Sequence, residues 1–174
     1  MDYLPIYSVN NDFLKRLRLQ EGITSPLRVL RSQQVTYDLM MRLGLETELV
    51  GHSGCVNCIE WNERGDFLAS GSDDCNVILW DAFEHKKLST MKTQHTGKIF
   101  SVKFLANIND GLVVSGAADS RIHVHDLDKM EVRYQFACHN SRVKRLATVP
   151  SEPFLFWSAS EDGTVRQFDL RDPS

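Results

Sequence analysis

The segment Ala69-Ser-Gly-Ser-Asp-Asp-Cys-Asn-Val-Ile-Leu-Trp80-Asp81 decides the fold, because its pattern occurs three times along the chain. Each copy runs from an apolar residue and a serine, through a turn with an aspartate, to a bulky ring followed by a second aspartate. The later copies end at His125-Asp126 and Phe168-Asp169. A histidine precedes every copy, and these histidines, His52, His95 and His139, lie 43 and 44 positions apart. A unit repeated at this spacing predicts a repeat protein built for binding rather than around a reaction pocket.

Each copy contains short strand-like runs separated by polar turns. The predicted strands are 56–61, 67–70, 76–80, 88–91, 99–104, 112–115, 121–125, 132–136, 143–149, 154–158 and 164–168. The predicted fold is therefore mainly β: a partial propeller of three four-stranded antiparallel blades, preceded by a short helical arm. We expect the third blade to be incomplete, because the chain ends before its outer strand. Residues 47–50 are predicted to form the outer strand that would seal a complete ring.

The repeated polar residues predict a hydrogen-bonded relay inside each blade. In the first copy the Trp80 indole N–H would donate to Ser70, Ser70 to His52, and His52 to Asp74, so that each buried polar atom finds a partner. The second copy keeps His95, Ser115 and Asp119 with His125 at the ring position, and the third keeps His139, Ser158 and Asp162 with Phe168 there. Because phenylalanine has no donor, and histidine replaces the indole, we expect only the first relay to be complete.

The same residues carry a family resemblance over positions 46–172. The segments 51–52, 69–74 and 77–81 resemble the signature of WD-repeat propellers. Within that family, the sequences of residues 52–58, 62–66 and 116–126 are similar to those of the WD and tetratricopeptide repeat proteins. The resemblance implies a substrate receptor of cullin-4 RING ubiquitin ligases, with a propeller first and helical repeats later. On this view the chain resembles an amino-terminal fragment.

The resemblance also implies an adaptor-binding site at the end of the third repeat. Phe168, Asp169 and Arg171 match the ring-Asp-x-Arg wording of cullin-4 receptors. The Arg171 guanidinium would make bidentate hydrogen bonds to a carboxylate of the ligase adaptor. The alternative is that Arg171 is an ordinary solvated arginine after a strand.

Residues 1–45 lack the repeat and are predicted to form a helical amino-terminal arm, with 46–174 forming the three WD repeats. Helices are expected to begin near Asn10, at Ser25-Pro26 and at Thr36. The last helix carries an apolar stripe of Leu39, Met40 and Leu43. The resemblance implies that such an arm docks on the three-propeller ligase adaptor; alternatively, the stripe covers the flank of the propeller itself.

Composition and motifs exclude several function classes. A net charge of −3 gives no basic face for nucleic acid, and no apolar run predicts a signal peptide or membrane span. Four cysteines without a secretory leader favour reduced thiols and a cytoplasmic and/or nuclear location. Cys55 and Cys58 have zinc-knuckle spacing, but an offset of three along a strand sends the thiols to opposite faces.

No catalytic residue, cofactor or metal is therefore expected. The recurring Ser, His and Asp lack a nucleophile elbow, and their relay should end on a ring rather than at an open cleft. No phosphate loop is present. The sequence predicts a non-enzymatic protein-interaction scaffold whose partners are the cullin-4 ligase adaptor and an unidentified substrate, with no small-molecule substrate. The alternative is a propeller scaffold that binds histone or other protein tails without a ligase.

Overall fold

A computed structural model describes residues 37–41, 43–81, 83–105, 111–149 and 151–171. The chain divides into two units between Glu46 and Thr47. In the first unit, Tyr37–Met40 forms one helical turn. The side chains of Met40 and Leu43 are exposed, and that of Leu39 lies outside the described residues. The helices predicted near Asn10 and Ser25 also lie outside them.

The second unit consists of antiparallel β-sheets. Its strands are β1 (Val56–Trp61), β2 (Phe67–Ser72), β3 (Asn76–Asp81), β4 (Lys86–Lys92), β5 (Ile99–Phe104), β6 (Leu112–Ala117), β7 (Ile122–Asp126), β8 (Glu131–Phe136), β9 (Val143–Val149), β10 (Glu152–Ser160) and β11 (Val165–Asp169). They form sheets in the order β1-β2-β3-β4, β5-β6-β7-β8 and β9-β10-β11. The predicted mainly β fold of successive antiparallel blades is confirmed.

Residues 47–50 pair with no strand of the three described sheets. Their role as the outer strand that would seal a complete ring stays a prediction, because such a strand needs a partner from a further blade. Among the described residues, no helix is both long and apolar enough to cross a membrane.

The turn between the second and third strands has the same backbone in all three blades. Its last residue is Cys75, Ser120 or Gly163, with φ of 62°, 66° and 79°. In each blade this residue donates its N–H to a carbonyl three positions earlier, at 3.2 to 3.3 Å. Only glycine adopts this left-handed conformation without steric cost. The aspartate that precedes this last turn residue is therefore held in the same position in every blade.

The hydrophobic core lies between blades rather than within any one of them. Because side chains alternate along a strand, Val113 and Val114 of β6 face opposite sides. Val113 belongs to a cluster with Val77 and Ile99, and Val114 to a second cluster with Val143, Leu146 and Phe156. Each blade is therefore held by its neighbours, as in other repeat proteins.

Candidate functional site

The first blade contains a continuous chain of four hydrogen-bonded side chains. The Trp80 Nε1–H donates to Ser70 Oγ at 2.8 Å. Ser70 Oγ lies 2.7 Å from His52 Nε2, and His52 Nδ1 lies 2.9 Å from Asp74 Oδ2. Because Ser70 accepts from the indole, its own proton points to His52 Nε2, and the Nδ1–H of His52 donates to Asp74. One tautomer of His52 thus satisfies the whole chain.

The aspartate at the end of this relay accepts several hydrogen bonds. Besides His52, Asp74 accepts the backbone N–H groups of Ser53 and Asn76, both at 3.0 Å. Burial by itself would raise the pKa of Asp74, but these donors outweigh it, and the pKa is lowered. Asp119 in the second blade and Asp162 in the third accept the equivalent backbone donors. The ionised aspartate therefore joins the histidine loop to the turn in each blade.

The second relay is also complete, so the expectation that only the first could be is wrong. His95 Nε2 lies 2.9 Å from Ser115 Oγ, and His95 Nδ1 lies 2.9 Å from Asp119 Oδ2. At the ring position, His125 Nε2 lies 2.7 Å from Ser115 Oγ. A neutral imidazole carries one N–H, so His125 supplies the donor that Trp80 supplies in the first blade.

The third relay has three members. His139 Nε2 lies 2.7 Å from Ser158 Oγ, and His139 Nδ1 lies 2.8 Å from Asp162 Oδ2. At the ring position, Phe168 has no polar atom and instead stacks on Phe156, with ring centroids 4.8 Å apart. Here the ring position contributes packing to the core and no hydrogen bond.

The distances between serine, histidine and aspartate resemble those of a hydrolase triad, so their chemistry must be judged from the surroundings. His52, Ser70 and Trp80 line a cleft of about 340 Å³ together with Val50 and Ile59. The relay ends on the Trp80 ring, and this ring forms part of the cleft wall. Yet Ser70 is only 3% exposed and its oxygen is held by both the indole and His52. The arrangement stiffens the blade by satisfying buried polar groups.

A histidine that the sequence reasoning missed completes a cluster in the second blade. The His123 ring stacks on the His95 ring, with centroids 3.9 Å apart and planes 6° apart. Its Nδ1 lies 2.7 Å from the Thr93 carbonyl oxygen. One ligand nitrogen from each of His95, His123 and His125 lies within 4.8 Å of the others. The signal was present in the sequence, because residues 123 and 125 lie two apart on a strand and so share one face.

The cysteines are free thiols. Cys58 on β1 donates from its Sγ to the Gly71 carbonyl at 3.8 Å, and burial raises the pKa of its thiol to about 11. Cys55 precedes the strand and is exposed. A thiol with a raised pKa is a poor metal ligand and a poor nucleophile at neutral pH.

At the end of β11, the side chain of Arg171 forms an ion pair with Asp169. The Arg171 Nε lies 2.9 Å from Asp169 Oδ1, and its Nη2 lies 2.6 Å from Asp169 Oδ2. The Arg171 side chain is 56% exposed, and its guanidinium carbon lies 6.0 Å from the centre of the Phe154 ring. Hydrogen bonding to Arg171 lowers the pKa of Asp169. Phe168, predicted with them as an adaptor contact, is partly buried and packs against the rings of Phe156 and Phe136. Its contact with the adaptor stays a prediction.

Comparison with known proteins identifies the repeat. The family model described as "WD domain, G-beta repeat" matches residues 44–81 and 130–169. The "WD and tetratricopeptide repeats protein 1" of Mus musculus and of Homo sapiens is 53% identical over 96% of this chain and 24% of its own length. The chain is a WD-repeat protein. Its second WD blade, which carries His125 in place of the ring of Trp80, lies largely between the two matched segments.

Two further relatives match most of this chain. "Protein ALTERED SEED GERMINATION 2" of Arabidopsis thaliana is 42% identical over 77% of this chain and 19% of its own length. "DDB1- and CUL4-associated factor 6" of Homo sapiens is 37% identical over 86% of this chain and 18% of its own length. The chain spans at most about a quarter of the length of these relatives. The WD repeats and the names of these relatives support a protein-interaction role.

The relay aspartates predict loss of stability in acid. Hydrogen bonds from the Thr164 hydroxyl, His139 and two backbone N–H groups hold the pKa of Asp162 far below its usual range, although burial opposes them. A folded-state pKa below the unfolded value of about 3.9 stabilises the WD blade at higher pH, and this contribution is lost as pH falls below about 4. We expect the free energy of unfolding, measured by urea titration at pH 7 to 2.5, to decline below about pH 4. Asp162→Asn should flatten that decline.

The exposed Asp128 provides the control for this experiment. Asp128→Asn leaves the three relays unchanged and should keep the acid slope of the native chain. If the free energy of unfolding fell with pH at the same slope in Asp162→Asn and in the native chain, the ionised aspartate would not be what joins the histidine loop to the turn in the third WD blade.

Proposed function

We propose that this WD-repeat chain acts as a substrate receptor of a cullin-4 RING ubiquitin ligase, with Arg171 contacting the ligase adaptor. The observation that carries the proposal is the exposed guanidinium at the end of β11, held in place by Asp169. The name of the relative "DDB1- and CUL4-associated factor 6" supports the same role. The free thiols are in keeping with action in the cytoplasm or nucleus.

The pairing with Asp169 prepares Arg171 for binding. Asp169 accepts hydrogen bonds from the guanidinium edge formed by Nε and Nη2. Because this pairing already fixes the Arg171 side chain, less rotamer entropy is lost when a partner binds. The other edge, which includes Nη1, can donate charge-assisted hydrogen bonds to a carboxylate of the adaptor. The Phe154 ring below the guanidinium adds a flat apolar support. Substrate would then bind to other loops of the WD blades.

The test is recovery of the purified cullin-4 adaptor on immobilised WD-repeat chain. Arg171→Ala is expected to weaken binding about tenfold or more, since a hydrogen bond to a charged group contributes roughly 1.5–3 kcal/mol. Arg171→Lys should restore only part of it, because lysine lacks the planar fork. Deletion of residues 1–45 tests the arm and its apolar stripe in the same assay.

The control is Arg133→Ala, which removes an exposed arginine of β8 and should leave recovery unchanged. Equal recovery of adaptor by the native chain, Arg171→Ala and the deletion would remove the ligase role. Binding of histone or other protein tails by a chain that recovers no adaptor would select the alternative, a WD scaffold without a ligase.

A further inference from the structure

The first WD blade exposes apolar side chains at positions that the second blade buries. Ile59 of β1 pairs with the relay serine Ser70, as Val102 of β5 pairs with Ser115. Ile59 is 62% exposed, whereas Val102 is 2% exposed. The same contrast holds at the two other apolar positions of this face, where the pairs are Val56 with Ile99 and Trp61 with Phe104. The first blade therefore has one uncovered apolar face.

The two blade contacts within the structure show what such a face packs against. Val102 shares a core cluster with Val77 of the blade before it, and Leu146 shares the next cluster with Ile122. Register gives Val77 and Ile122 a counterpart in the third blade, Val165. Val165 is 71% exposed. The third blade thus exposes the face that is complementary to the uncovered face of the first.

The third blade also has an uncovered sheet edge. Within the described part of the chain, β11 pairs with β10 alone, whereas β3 and β7 each pair with an outer strand as well. These outer strands, β4 and β8, end shortly before His95 and His139. Residues 47–50 lie directly before His52. The repeat therefore assigns residues 47–50 to the outer edge of a blade that precedes the first one.

We propose that two copies of this chain close into one ring of six WD blades. In this ring the open face of each first blade packs on the third blade of the other copy, and residues 47–50 pair with the other copy's β11. Each copy has one face of each kind, so a two-copy ring leaves neither exposed. Propellers typically have about four to eight blades. One copy supplies three blades, and three copies would supply nine, so two copies fit this range.

The segment and the open face lie together in the first blade. Leu49 and Val50 line the same cleft as Val56 and Ile59. Residues 47–50 are therefore on the side of the first blade where the third blade of the other copy would lie. An added strand contributes main-chain hydrogen bonds to an open edge, and the apolar faces contribute the burial that drives association.

The experiment is sedimentation velocity of the full chain over a range of concentrations. We expect a species with twice the mass of one chain, which dissociates on dilution. Ile59→Asp and Val165→Asp each place a charge in a contact that becomes buried, so each should weaken the dimer about tenfold or more. Both side chains are exposed in one copy, so the variants should keep the far-UV circular dichroism of the native chain.

The matched control is Phe83→Asp. Phe83 is 71% exposed in the turn between β3 and β4 and belongs to neither face. This variant also replaces an exposed apolar side chain by a charge, and it should dimerise like the native chain.

Mixing Ile59→Asp with Val165→Asp distinguishes the ring from general stickiness. In a mixed dimer both charges fall in one junction and the other junction is intact, so the mixture should dimerise more tightly than either variant alone. Hydrogen exchange should also show slowed amides at residues 47–50 in the native dimer and fast ones in Ile59→Asp. A monomer at every concentration, an open-ended polymer, or a mixture no tighter than its components would overturn the ring. A monomer would leave both faces to a different partner.

Discussion

Replacing Ser70 by alanine should lower the free energy of unfolding by about 2–6 kcal/mol, because it leaves two buried partners unsatisfied at a cost of about 1–3 kcal/mol each. Ser70 Oγ is the single atom that contacts both the Trp80 indole N–H and His52 Nε2. Alanine supplies neither an acceptor nor a donor. Urea unfolding, read as the shift in midpoint at an unchanged m-value, measures the effect.

The other two relays provide matched comparisons for this substitution. Ser158→Ala leaves only His139 Nε2 unsatisfied, since Phe168 makes no hydrogen bond, and should cost about half as much. Ser115→Ala leaves both His95 and His125 unsatisfied and should therefore resemble Ser70→Ala. If Ser115→Ala behaved like Ser158→Ala, the imidazole of His125 would not be an effective substitute for the indole.

The sequence predicted most of the fold because the repeat constrains it at several levels. Period, turn residues and alternation all indicated the same strands, and three inner strands were predicted at their observed bounds, β1, β5 and β9. The second strands extend further than expected. Gly71, for example, pairs with Cys58 on one side and Val77 on the other. A glycine in a sequence usually predicts the end of a strand. Here the backbone pairing with both neighbouring strands keeps Gly71 in the sheet.

The site was less predictable where chemistry depends on tautomers and partners. The sequence marked His125 as a departure from tryptophan but could not show that its Nε2 would reach Ser115. It gave no sign that the Thr93 carbonyl would orient His123, because that contact joins positions 30 apart. The sequence also indicated Arg171 as a binding residue. It could not show that the guanidinium pairs with Asp169, because that pairing depends on side-chain geometry.

Gly71→Ala is the second substitution with a large expected effect, and its origin is contact between blades. A Cβ at this position would lie 2.7 Å from Ile99 Cγ2, 2.8 Å from Cys58 Sγ and 2.9 Å from Val102 Cγ2. Ile99 and Val102 belong to β5 of the next WD blade and to the core that the two blades share. A methyl group here must move groups from two blades at once. Overpacking of this kind costs about 1–3 kcal/mol, and we expect the upper end.

Gly111→Ala separates crowding from the general effect of adding a methyl group to glycine. Among the described residues, its Cβ would meet only Asp128 Oδ2 at 3.7 Å, an ordinary contact, so stability should change little. Urea unfolding of both variants measures the difference. If Gly71→Ala were as stable as Gly111→Ala, the first two blades could separate without loss. The shared core would then not be what holds them, since a tightly packed interior cannot absorb an added methyl group without cost.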